Sequence, residues 1–97
     1  MAIDKLTMLQ AELNMRNAPA PRQEQLQHLL AVAASRIQAY GITLNSEDAG
    51  DAFLQVEYAA WLYRRRAQAD AAIMPMYLKQ DLKDRLVAEK ARVTDGT

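Results

Sequence analysis

The chain has 97 residues, 51% of them hydrophobic and 25% charged, with 12 Lys and Arg balancing 12 Asp and Glu. That length fits one domain able to bury its own core, and the composition is that of a folded protein and not a disordered one. Zero net charge excludes a general pull toward nucleic acid or anionic membrane, and the absence of cysteine removes disulfides, thiolate metal sites and Cys nucleophiles together.

The opening Met-Ala-Ile-Asp-Lys-Leu carries no basic leader ahead of a long apolar run. No apolar stretch approaches the roughly 18 residues that a membrane helix needs. Neither export nor membrane insertion is expected.

Asp4 is suited to cap a short first helix within residues 1–15, where Leu6, Leu9 and Leu13 follow at helical spacing. Asn17-Ala-Pro-Ala-Pro21 breaks the pattern, because proline lacks an amide donor and pushes its predecessor out of helical geometry, so 16–21 reads as a linker. From about Arg22 a second helix carries Leu26, Leu29, Leu30, Ala33, Ile37 and Tyr40 as one stripe. Gly41 stands where a left-handed cap residue is wanted, with Ile42 able to fold back onto Ile37.

Asn45 or Ser46 is the expected cap of a third helix over about 47–66. Glu47, Asp48 and Asp51 lie near its start and Arg64, Arg65 and Arg66 at its end, each sign complementing the helix dipole. Phe53, Val56, Ala60 and Tyr63 form one apolar arc of this helix and Leu54, Tyr58, Trp61 and Leu62 another. A helix apolar on two sides either meets a second subunit or is the central helix of its own bundle, and both readings are open. Aromatic and Arg residues are common interface anchors, which favours Tyr58, Trp61, Tyr63 and the arginine run for a subunit contact.

A fourth helix starts near Met74-Pro75 and continues through Leu78, Leu82 and Leu86 toward Lys90. Asp81, Arg85 and Glu89 make an i, i+4 ladder expected to face solvent. Residues 91–97, with Val93 the one sizeable apolar side chain, read as a flexible tail. The whole is a single domain over 1–97 with a helical core over 22–90: all-α, a small bundle of three main helices plus a short N-terminal helix. Leu26, Leu30, Ile37, Phe53, Val56, Ala60 and Leu82 are the expected core.

No catalytic constellation is visible. His28 is the lone histidine and has no partner at metal-ligand spacing, and Glu47, Asp48 and Asp51 lack the glycine-bearing loop of a calcium site. Gly41, Gly50 and Gly96 are too scattered to cradle a phosphate. The expectation is no catalytic residue, no cofactor and no metal. Arg64 to Arg66 could clamp DNA phosphates or partner carboxylates, but three adjacent arginines point three ways around a helix. A small helical DNA-binding or regulatory protein is therefore the alternative reading.

The order Tyr58-Ala-Ala-Trp61-Leu-Tyr-Arg-Arg-Arg66, then Met74-Pro75, Leu78, Leu82, Arg85-Leu86 and Glu89-Lys90, resembles the head-tail connector (neck adaptor) family of tailed bacteriophages. The resemblance covers roughly the last forty residues. Toward the N-terminus only the layout agrees: a short helix, a linker, and a long helix ending in Tyr-Gly-Ile before an acidic stretch. It implies a non-catalytic virion protein, made in the host cytoplasm and placed in the neck. There it would form a homo-oligomeric ring that docks on the portal protein, extends the DNA channel and meets the next neck or tail-completion protein. DNA is then a partner only as the passing genome, and no membrane is involved. The candidate interface residues under this reading are Tyr58, Trp61, Arg64, Arg65, Arg66, Met74, Pro75 and Val93, the last on a tail expected to order on the portal.

Overall fold

The computed structural model describes residues 4–15, 17–67 and 73–95, and the side chains of all of these except 67 and 92–95. Four helices follow in order: α1 (Lys5–Glu12), α2 (Ala20–Tyr40), α3 (Ala49–Ala67) and α4 (Met76–Asp95). No strand occurs among the described residues. The protein is an all-α bundle of three main helices plus a short N-terminal one.

Local chemistry sets the helix ends. Asp4 caps α1 by accepting from the Thr7 amide at 3.1 Å and the Thr7 hydroxyl at 2.6 Å. The helix stops at Glu12, short of the expected Met15, because Asn14 turns left-handed at φ 57°. The Asn14 amide then donates to the Ala11 carbonyl and the Met15 amide to the Gln10 carbonyl, the paired bonds of a Schellman end. Asparagine is among the few residues that tolerate this conformation. A second left-handed residue, Asn17 at φ 58°, brings the chain round to α2. α2 begins at Ala20, not after Pro21, since proline fits the first turn of a helix where its missing amide would have had no partner.

α2 ends as its sequence predicts. Gly41 has φ 116°, its amide reaches the Gln38 carbonyl, and Ile42 donates to Ile37 and is buried. A side chain at Gly41 would be strained by this φ, and its Cβ would come within 3.1 Å of Leu86 Cδ1. α3 is capped by Asp48, whose carboxylate accepts from the Asp51 amide at 3.1 Å, and not by Asn45 or Ser46. Asn45 instead closes a turn by accepting from the Glu47 amide. α4 runs five residues past the expected end at Lys90, with no glycine or proline to stop it before Gly96. Residues 96–97 lie outside the described residues.

α3 is the central helix, packed against α1, α2 and α4. Every residue from Leu54 to Leu62 is buried. Of the two readings left open for its second apolar arc, the fold realises the central helix: Leu54, Tyr58, Trp61 and Leu62 lie in the chain's own core beside Leu9, Leu26, Ile37, Leu78 and Leu82. Gln55 ties α3 to α2 by donating to the Leu30 carbonyl at 2.9 Å. Phe53 departs from expectation and is half exposed, at 50%. It stands one turn ahead of Glu57, on the strip of α3 that opens toward α4 and not toward α2.

Core membership therefore predicts unequal costs. Leu26→Ala should destabilise the fold by about 2–5 kcal/mol, the usual range for emptying a buried leucine site, and Phe53→Ala by less than about 1 kcal/mol. Urea unfolding of the two variants checks the order, and a reversed order would move Phe53 back into the core.

Candidate protein-docking surface

Of the residues predicted to lie at an interface, the aromatic pair is turned inward. Tyr58 and Trp61 are buried and meet edge to face, with ring centroids 5.6 Å apart and an interplanar angle of 82°. The arginines that follow point different ways. Arg64 reaches back to the end of α1, donating to the Glu12 carbonyl at 3.2 Å and standing 3.9 Å from its carboxylate. Arg65 lies over the Trp61 ring at 5.2 Å from its centroid, and Arg66 is exposed. Met74 and Pro75 are half-buried ahead of α4. The Val93 side chain lies outside the described residues. The structure brings together Tyr58 and Met74 around one cavity and leaves Arg66 at the far end of α3.

That cavity, of about 310 Å3, lies where the end of α2, the middle of α3 and the start of α4 meet. Tyr40, Tyr58, Met74 and Leu82 give it apolar walls, and Arg36, Lys79 and Lys83 stand around it. Tyr40, at 49% exposure, leaves its mouth open.

The opposite flank of α4 is acidic. At about 100° per residue, Leu78, Leu82, Arg85 and Glu89 are the face of α4 turned to the core, which puts Lys79 and Lys83 on one side and Asp81 and Asp84 on the other. Asp81 and Asp84 share a recess with the α3 cap Asp48 and with Asp51, Phe53 and Glu57 from α3.

Between the two flanks lies a charge cluster that sequence reasoning placed in solvent. Arg85 donates from Nε to Asp51 Oδ1 at 2.6 Å, from Nη2 to Asp51 Oδ2 at 3.1 Å, and from Nη1 to Glu89 Oε1 at 3.0 Å. Its Nη2 also donates to the Thr43 carbonyl at 2.8 Å. Asp51 and Glu89 are buried and Arg85 is nearly so. The ladder over Asp81, Arg85 and Glu89 is thus not a wet face: its middle and last members clamp α4 to the start of α3. Burial alone would raise the Asp51 carboxyl, but the Arg85 hydrogen bonds, the Asn45 amide and the Arg85 charge outweigh it and hold Asp51 below its usual value. The same contacts hold the Arg85 guanidinium above its ordinary pKa.

Glu57 is the contrasting case. It is buried and its Oε1 finds no hydrogen-bond partner. Burial, then the neighbouring Asp81 carboxyl and the charge of Glu12, push it up to about 7. His28 is exposed on α2. Among the described residues no group of three or more His, Asp or Glu is placed to hold a metal ion, and no helix is long and apolar enough to cross a membrane.

No known protein family matches the chain, and no curated protein or solved structure matches it significantly.

Glu57 makes stability pH-dependent in a defined direction. Its folded pKa of about 7 lies above the ordinary 4.5, so its favourable contribution is complete below about pH 4.5 and is lost as the pH rises through 7. Glu57→Gln keeps the shape and removes the charge. The variant should exceed the wild type in stability by about 2–3 kcal/mol at pH 8 and by little at pH 4. Thermal melts across that range check this, and parallel profiles for the two proteins would contradict it.

Proposed function

We propose that the chain is a structural head-tail connector subunit of a tailed bacteriophage or prophage, one copy of a ring that docks on the portal and carries the DNA channel toward the tail. The observation that carries the reading is the residue order from Tyr58 to Lys90, which resembles that family and lies on an all-helical fold. The protein acts without catalysis. Its partners are further copies of itself, the portal protein and the next neck or tail-completion protein, and it resides in the virion neck after assembly from the host cytoplasm.

The structure bears on the chemistry of such contacts. Arg64 and Arg65 are engaged within the chain, with Glu12 and Trp61, so the arginine run does not present a continuous phosphate-tracking stripe, which weighs against the DNA-binding alternative. The exposed features suited to protein partners are the open cavity beside Tyr40 and the half-exposed Phe53.

The purified chain should attach to portal-bearing capsids that lack their tails. Deleting residues 91–97 should weaken that attachment while leaving the thermal melt little changed. Specific duplex DNA should bind more weakly than the roughly 10 nM typical of regulators. No attachment to capsids, together with tight sequence-specific DNA binding, would replace the connector reading with the regulatory one.

A further inference from the structure

The two flanks of α4 differ in a way that makes them complementary to each other. One carries an apolar cavity of about 310 Å3 with Arg36, Lys79 and Lys83 around it. The other carries a half-exposed phenyl ring, Phe53, with Asp81, Asp84 and Glu57 in the same recess. We infer that Phe53 of one copy seats in the Tyr40–Tyr58–Leu82 cavity of the next, with Asp81 and Asp84 of the first copy meeting Lys79 and Lys83 of the second.

Volume, charge and symmetry support this occupant. A dry cavity of about 150 Å3 admits benzene, so the space beside Tyr40 is ample for a phenyl ring. Tyr40 and Tyr58 line that space, and aromatic rings prefer aromatic neighbours in offset or edge contact. The recess around Phe53 brings five carboxyls and one guanidinium together, and Arg85 is already spent on Asp51 and Glu89. Glu57 lies buried in that recess with one oxygen unpartnered, so a cation arriving at the rim meets a pocket rich in carboxyl groups. The chain as a whole is neutral, so opposite patches attract copies without a net repulsion to overcome. The two patches are different surfaces of one molecule. Joining them is therefore a head-to-tail contact, which closes into a ring or runs on as a filament and does not stop at a two-fold dimer.

This inference deepens the connector reading and rests only on its self-assembly part. The test is sedimentation velocity of the full chain over a concentration series at low salt, with four variants: Phe53→Ala, Lys83→Glu, Asp84→Lys, and Lys83→Glu with Asp84→Lys together. All three positions are exposed, and circular dichroism melts confirm that each variant is folded. Wild type should form species larger than a monomer. Phe53→Ala should weaken association by about 30-fold, the loss of one interface anchor. Each single charge reversal should weaken it by about tenfold or more, and the double reversal should regain much of that loss because the swapped charges face each other across the contact. Wild-type association that none of the variants disturbs would overturn the inference while leaving a ring formed by some other surface. A wild-type chain that stays monomeric throughout would also overturn it, and attachment to portal-bearing capsids then decides separately whether the connector reading survives.

Discussion

The Arg85 guanidinium is the tie on which the geometry of the rest depends. It sits between Asp51 at the start of α3, Glu89 one turn further along α4, and the Thr43 carbonyl in the connection that leaves α2. The Asp51 carboxylate in turn accepts from the Asn45 amide at 2.8 Å, and Glu89 takes the Thr43 amide at 3.4 Å. Three segments distant in the chain thus converge on one cation. A buried ion pair contributes little net stability over a well-packed apolar replacement, because desolvation offsets the attraction. Its effect is on register: an α4 rotated or slid by one residue would carry Arg85 away from Asp51 and leave that carboxylate buried without its counter-ion, at a cost of several kcal/mol.

Fixing α4 on α3 in one register fixes what lies on either side of it. Lys79 and Lys83 fall beside the open cavity, and Asp81 and Asp84 fall beside Phe53. The central helix supplies both backgrounds, Tyr58 to the cavity and Phe53 with Glu57 to the acidic recess. α1, α2 and α4 cover α3 from Leu54 to Leu62, so of its two apolar arcs Phe53 is the member left half exposed. The two flanks of α4 carry opposite charge on a neutral protein.

Much of the fold is legible in the sequence where the signal is local. The Asp4 cap, the Gly41 stop with Ile42 folded back, the α2 stripe from Leu26 to Ile37 and the absence of strands all follow from residues within a few positions of one another. Asn14 and Asp48 are also readable in principle, since asparagine tolerates the left-handed end and aspartate caps helices, but the leucine spacing carries the first helix on to about residue 15 and Asn45 and Ser46 are equally good caps. The candidate site was not legible. Arg85 and Asp51 are 34 residues apart, and an i, i+4 ladder looks the same whether it faces water or a buried carboxylate. Phe53 shares a helical face with both Val56 and Glu57 to similar degree, so periodicity could not say that it opens toward α4. The aromatic residues that looked most like anchors, Tyr58 and Trp61, turned out to face each other.

Zero-length carbodiimide cross-linking of the unaltered chain reads directly whether copies meet flank to flank across α4. The reagent joins a carboxylate to a lysine only where the two touch. An equal mixture of isotopically light and heavy protein identifies the links that pass between copies. Flank-to-flank contact should yield mixed-isotope peptides joining Asp81 or Asp84 of one copy to Lys79 or Lys83 of another. Links between copies that involve only other carboxylates and lysines, or none at all under conditions where the chain self-associates, would contradict it.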